Sequence, residues 1–190
     1  YWLARDDDGV FPDDFHAAMA EGGWLGITMP EEYGGSGLGV AEAAVMMNTV
    51  AACGAMTAAS SIHINMFGPH PILVFGTEEQ KRKWIPPLIK GDDKVSFGVT
   101  EPNVGLDTTN ITTFAEKVDG GYIVNGRKIW NSTAQEATRI MLLARTQKRE
   151  DNKDPTKGIT IFYTEFDRSK IEVQVIHKMG RKAVGSNMIF

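Results

Sequence analysis

The sequence predicts an α+β protein: an all-α helical domain over residues 1–92, then an antiparallel β-barrel or sandwich domain over residues 93–190. Two changes along the chain carry that prediction. Apolar residues first recur at helical spacing, and from Val95 onward they alternate with polar ones. The composition agrees, with 42% hydrophobic and 23% charged residues, which suits a packed core and excludes global disorder.

In the helical half, Pro12-Asp13 opens a short helix. Phe11, Phe15, Ala18 and Met19 form one apolar stripe on it, and Gly22-Gly23 stop it. A short apolar stretch, Trp24 to Pro30, leads into the glycine-rich turn from Glu31 to Gly39. The Ala- and Met-rich stretch from Val40 to Ala59 contains no proline and reads as one long buried helix. A further helix runs from Ser61 to Phe75, where Pro69 and Pro71 should kink or split it. Thr77, with Gln80 three residues on, forms a capping box for the next helix, which Pro86-Pro87 should break.

In the second half, Val95, Phe97 and Val99 alternate with Ser96, Gly98 and Thr100. Asp119-Gly120-Gly121 reads as a hairpin turn between Ala115–Val118 and Tyr122–Asn125. Ile140 to Thr146 and Gly158 to Thr164 suit strands, as does the alternation at Ile171, Val173 and Val175. Gln147 to Lys157 is a solvated polar loop. The chain opens without Met, and Gly185 to Phe190 looks like a strand just beginning. Both suggest a piece of a longer protein with a further C-terminal region.

Several chemistries are disfavoured. With 20 Lys+Arg against 24 Asp+Glu, the net charge of −4 leaves no general footprint for nucleic acid. No apolar run is long enough to span a membrane, and the N-terminus has no secretory pattern. Cys53, the single cysteine, cannot form an internal disulfide or a multi-cysteine zinc site. It reads as a small buried thiol in a reducing compartment. His16, His63, His70 and His177 lack metal-ligand spacing, so no metal is expected. Ser36 follows no strand and heads no nucleophile elbow. Gly35, Gly37 and Gly39 alternate without a dinucleotide fingerprint or a Walker lysine, so a tight turn is the simpler reading.

One constellation stands out. Thr100-Glu101-Pro102-Asn103-Val104-Gly105-Leu106-Asp107 directly follows the strand at Val95, and Lys128-Ile129-Trp130-Asn131-Ser132-Thr133-Ala134 precedes the strand at Ile140. Gly105 lets backbone N–H groups approach a ligand closely. Thr100 and Ser132 add hydroxyls, and Trp130 a flat apolar face. Such a set can hold a ring with polar edges and a phosphate tail. On physics alone, two turns in a β-domain account for it at least as well.

The whole chain resembles the acyl-CoA dehydrogenase family of flavoenzymes. Gly23-Trp24-Leu25-Gly26-Ile27 and Pro30-Glu31-Glu32-Tyr33-Gly34-Gly35-Ser36-Gly37 match in the helical half, then Gly76-Thr77-Glu78-Glu79-Gln80-Lys81 and Trp84-Ile85-Pro86-Pro87-Leu88. Thr100-Glu101-Pro102 with Gly105 and Asp107 resembles the first signature. Asn125-Gly126-Arg127-Lys128 with Trp130 and Ser132 resembles the approach to the second flavin loop, and Lys178-Met179-Gly180 matches a third segment.

The resemblance implies FAD as cofactor and α,β-dehydrogenation of an acyl-CoA thioester. By position, Phe97, Val99 and Thr100 would line the flavin, with Thr100 bonding a polar ring edge. Gly105 and the Leu106 backbone would face the pyrophosphate and the thioester substrate. Trp130 would pack on the isoalloxazine, beside Asn131. Ser132, where the family usually has Thr, would bond near the reactive flavin nitrogen and favour the reduced ring. Leu106 replaces the usual Ser, and Asn131 and Thr133 replace the commoner Ile and Asn. Ile62, Ile64, Met66 and Phe67 are candidates to line the acyl tail. Glu101 reads as a loop-fixing residue. The family's base is a Glu of a C-terminal domain, so no catalytic residue is expected here, and residues 1–190 alone should not turn over.

The resemblance further implies electron-transfer flavoprotein as electron acceptor and a homodimer or homotetramer. It implies an intracellular home in bacterial cytoplasm, mitochondrial matrix or peroxisome. An acyl-CoA oxidase, a flavin monooxygenase of the same fold, and a non-catalytic interaction module that has lost flavin stay open at this point.

Overall fold

A computed structural model describes residues 1–53 and 56–190 and divides into two compact units. The first comprises Tyr1–Val95 with Lys178–Gly185, and the second Ser96–His177 with Ser186–Phe190.

The first unit is helical: α1 (Trp2–Asp8), α2 (Asp13–Glu21), α3 (Val40–Ala52), α4 (Met56–Phe67), α5 (His70–Phe75) and α6 (Glu78–Ile89). Its core gathers Met19, Leu25, Ile27, Met46, Ile62 and Met66. On α2 the buried residues are His16 and Met19, while Ala18 of the expected stripe is exposed. The expected long helix from Val40 to Ala59 is described as α3 and α4, and residues 54–55 lie outside the described residues. The expected split at Pro69 occurs: α4 ends at Phe67, and Pro69 caps α5. The Thr77 capping box forms, with Thr77 Oγ1 accepting from Gln80 N at 3.2 Å and Gln80 Oε1 accepting from Thr77 N at 2.9 Å.

Two expectations fail here. Pro86-Pro87 do not break α6, which runs to Ile89. Ile85 and Leu88 are completely buried and anchor the last turn, and Pro86 and Pro87 carbonyls still accept from Lys90 and Asp93. Cys53 is exposed, not buried, because it lies beyond the end of α3, whose only buried residue is Met46. The Trp2–Asp8 helix was not foreseen. Its charged sequence buries no residue, so no apolar stripe announces it.

The second unit is built on strands β1 (Val95–Gly98), β2 (Phe114–Val118), β3 (Gly121–Asn125), β4 (Lys128–Ser132), β5 (Arg139–Arg145), β6 (Ile159–Glu165), β7 (Val173–Val175) and β8 (Ser186–Ile189). One sheet has the order β1-β5-β2-β3 with β6 also on β5, and the other has β4-β8-β7. The foreseen hairpin pairs Val118 with Gly121, and Gly120 at φ 82 supplies the left-handed turn. The architecture is mixed, not strictly antiparallel. β2 meets β5 in parallel at a single pair, Phe114 opposite Arg145. Among the described residues no helix is long and apolar enough to cross a membrane.

Candidate functional site

The segment after β1 is fixed from several sides. Glu101 and Val104 exchange two backbone hydrogen bonds, 3.1 and 3.0 Å, which close a tight turn around Pro102-Asn103. Asp107 then accepts from Thr109 N at 3.1 Å and Asn110 Nδ2 at 2.7 Å. Those bonds, led by the Thr109 hydroxyl, hold its carboxyl below the usual range. Behind this turn, buried Arg145 donates to the carbonyls of Ile111 (3.0 Å), Lys157 (3.1 Å), Pro155 (3.1 Å) and Thr109.

Glu101 is the central tie. Its Oε2 accepts from Thr112 N and Oγ1, both at 2.7 Å. Its Oε1 accepts from Thr113 N at 2.8 Å and Lys128 Nζ at 3.0 Å. Burial works against its charge, but the threonine hydrogen bonds outweigh burial and hold the carboxyl at about 2. Burial lowers the Lys128 ammonium from its ordinary range, and Glu101 opposes that shift.

The segment from Ser96 to Thr100 is joined to β4 by direct bonds rather than by a regular ladder. Ile129 N donates to Thr100 O at 2.8 Å, and Lys128 Nζ to Val99 O at 3.0 Å. Asn131 Nδ2 donates to Phe97 O, and Ser96 Oγ to Ser132 O, each at 3.0 Å. These bonds link strands that belong to two different sheets. Gly98 lies at this junction, where a Cβ would stand 3.4 Å from both Asn131 Nδ2 and Lys128 Cγ of β4 and 2.9 Å from Leu142 Cδ1 of β5.

β4 itself is bulged. Lys128 faces Ile189 and Asn131 faces Asn187, so β4 carries one extra residue. Trp130 takes up the bulge in the left-handed region at φ 65, a conformation that L-residues avoid at a cost of about 1–2 kcal/mol. The bulge leaves the indole 60% exposed and turns Asn131 inward.

The structure thus brings Phe97, Val99, Thr100, Gly105, Leu106, Trp130, Asn131 and Ser132 into one unit. It presents them differently. Gly105, Leu106 and Trp130 are exposed, and Phe97, Val99, Thr100 and Ser132 are half-buried. Asn131 is buried and directs its amide to Phe97, so its side chain acts within the protein. A Cβ at Gly105 would meet nothing within 4 Å, which leaves open space above that backbone. Among the described residues no hydrogen bond takes up the hydroxyls of Thr100 or Ser132. An exposed ring, open backbone and two available hydroxyls fit a planar group with polar edges and a phosphate tail. Met66 and Phe67 lie on α4 of the first unit, where Met66 is a core residue and Phe67 is exposed. Glu101 ties the loop, the role the sequence suggested for it, but its buried partner Lys128 and the buried Arg145 were missed, because charged residues in a sequence read as solvated by default.

A helical unit followed by a β unit with this stitched double signature defines a class, and two family models match it in turn. Residues 1–92 match the acyl-CoA dehydrogenase N-terminal domain, and residues 96–190 match the acyl-CoA dehydrogenase middle domain. The chain belongs to the acyl-CoA dehydrogenase family. Mitochondrial isovaleryl-CoA dehydrogenase of Arabidopsis thaliana is 37% identical over 181 residues, covering 93% of this chain and 43% of that protein. The crystal structure of an acyl-CoA dehydrogenase from Geobacillus kaustophilus superposes with a TM-score of 0.87 at 30% identity, over 100% of this chain and 49% of that one. A structure described as the electron transferring flavoprotein of Acidaminococcus fermentans, in a study of flavin-based electron bifurcation, matches with a TM-score of 0.80 at 28% identity, over 98% of this chain and 48% of that one. The chain therefore spans about half the length of these proteins, or somewhat less.

Proposed function

We propose that the chain carries the helical and β parts of an FAD-dependent acyl-CoA dehydrogenase that desaturates an acyl-CoA thioester between its α and β carbons. The observation that carries the reading is the bonding of the Thr100–Asp107 segment to β4, which holds the open surfaces of Gly105, Leu106 and Trp130 in one unit with the Thr100 and Ser132 hydroxyls. Bound FAD supplies the acceptor for the β-hydrogen and its electron pair. Thr100 and Ser132 donate hydrogen bonds to polar edges of the ring, and Ser132 favours the electron-rich form. Trp130 and Phe97 cover the ring with apolar surface and keep water from it. The N–H groups at Gly105 and Leu106 face the pyrophosphate and the thioester. With Leu at position 106 that contact is made by backbone alone, and the exposed Leu side chain adds apolar cover.

Glu101 is not the base for the α-proton. Both its oxygens are engaged, and a carboxyl held at about 2 has little affinity for a proton. Its role is to fix the loop. Electron-transfer flavoprotein is the proposed electron acceptor, and a homodimer or homotetramer the proposed assembly.

The test is the absorbance spectrum of the full-length protein that contains residues 1–190, purified with FAD, followed by anaerobic titration with butyryl-, isovaleryl- and octanoyl-CoA. A bound flavin that bleaches with one of them is the expected result. A protein that stays colourless with added FAD would overturn the proposal in favour of an interaction module.

A further inference from the structure

Two side-chain amides lie inside the β unit. Asn131 on β4 and Asn187 on β8 face each other across the two strands, and β8 is the central strand of its sheet. Asn187 is completely buried and Asn131 nearly so. Residues in such places are ordinarily apolar, as Ile189 is two positions further along β8. The commoner Ile at position 131 would be buried there without stranding a polar atom.

Each amide uses its donor end. Asn131 Nδ2 donates to Phe97 O, and Asn187 Nδ2 to Asn131 O, both at 3.0 Å. Among the described residues no group donates to either Oδ1. A buried amide oxygen without a protein donor lowers stability. The two side chains are therefore poor core residues, and what they achieve is placement. Asn187 holds the Asn131 carbonyl from one side. Asn131 reaches Phe97 on the other, and Ser96 Oγ holds the Ser132 carbonyl at 3.0 Å. These bonds fix the backbone directly after Trp130, whose left-handed φ of 65 persists only where its surroundings enforce it. They also set Ser132 relative to Phe97. Phe97 and Ser132 belong to different sheets, so side chains and not a strand ladder determine that spacing.

This inference rests on the FAD reading above. We propose that Asn131 and Asn187 are positioning residues for the flavin, a relay of buried amides that sets the Ser132 hydroxyl against the isoalloxazine. Neither amide serves the ring directly, because each donor end is taken within the protein. Their effect passes through the hydroxyl they place.

The test uses the full-length protein that contains residues 1–190. The midpoint potential of its bound flavin is measured against a reference dye, and the stability of the apoprotein by urea unfolding. Asn131→Ile should lower the potential by about 30 mV, which for a two-electron couple is an about 10-fold loss of preference for the reduced ring and the range of one hydrogen bond. In a Ser132→Ala background the same substitution should shift the potential little further. Ile140→Val trims the core of the same unit and should lower the urea midpoint with the potential unchanged. Should Asn131→Ile fail to fold, Asn187→Ala leaves the Asn131 amide in place and should lower the potential in the same direction. An unchanged potential in a folded variant, a full shift without the Ser132 hydroxyl, or an equal fall with Ile140→Val would assign the amides to the fold. Each of these overturns this inference and leaves the FAD reading standing. Wild type that binds no FAD overturns both.

Discussion

Lys128 Nζ stands 3.0 Å from Glu101 Oε1, with side chains 2% and 4% exposed. Glu101 is the second residue of the first signature, and Lys128 opens β4. The pair joins the two segments that the chain separates by the β2–β3 hairpin. Its partners are unequal. Without Lys128, Glu101 keeps the Thr112 and Thr113 donors; without Glu101, the Lys128 ammonium keeps, among the described residues, only the Val99 carbonyl.

Glu101→Gln should therefore cost more than Lys128→Met. Removing the counter-charge strands a buried ammonium, at about 3–5 kcal/mol. Urea unfolding of both single variants and the double variant measures this. The expected coupling exceeds about 1 kcal/mol. Additive losses would show that the ion pair itself contributes little.

Two glycines should separate stability from binding. A Cβ at Gly126 would fall 2.3 Å from Thr113 Oγ1 and 2.7 Å from Thr113 Cα, and backbone cannot yield easily. Gly126→Ala should destabilise by about 1–3 kcal/mol, as overpacking does. A Cβ at Gly105 meets nothing within 4 Å. Gly105→Ala should leave the melting temperature unchanged and weaken FAD binding, read by fluorescence titration. A lowered melting point with intact FAD affinity would show that Gly105 serves the fold.

Much of this was legible in the sequence. The change of period at Val95 placed the helical and β halves, because each element buries one face at its own spacing. The Thr77 box and the Asp119-Gly120 turn were legible because their chemistry is local. What failed was decided by tertiary contact. Pro86 and Pro87 remain helical because Ile85 and Leu88 are buried around them. In the site, residue types were legible but their facing was not. Strict alternation breaks at the Trp130 bulge, so Asn131 turns inward and serves Phe97. Asn131 and Asn187 lie far apart in sequence, and no local pattern joins them.

Trp130 offers a test of strain kept for function. Glycine tolerates φ 65, so Trp130→Gly relieves about 1 kcal/mol of backbone strain. The indole is 60% exposed, so its removal loses little packing. The variant should unfold at the same or a slightly higher urea concentration, yet bind FAD at least about 5-fold more weakly, the worth of an aromatic contact near 1 kcal/mol. Marked destabilisation would mean that the indole serves the fold.

His16 sets a pH dependence. It is 2% exposed on α2, and its buried Nε2 has no hydrogen-bond partner. Burial, reinforced by the Lys94 charge, pushes its pKa down to about 4 from 6.5. Between those values the unfolded chain holds a proton that the folded chain refuses. Its contribution is therefore complete above pH 6.5 and is lost as the pH falls toward 4, by at most about 3 kcal/mol. His63 is lowered in the same direction and adds to the slope. Glu101, whose pKa falls from 4.5 to about 2, loses its contribution mainly below that window. Urea unfolding at pH 7 and pH 5 should thus show a clear loss for wild type and a smaller one for His16→Leu, with His63 supplying the remainder. An equal loss in both proteins would mean that His16 is hydrated and titrates normally, and that the buried imidazole does not govern the acid limb.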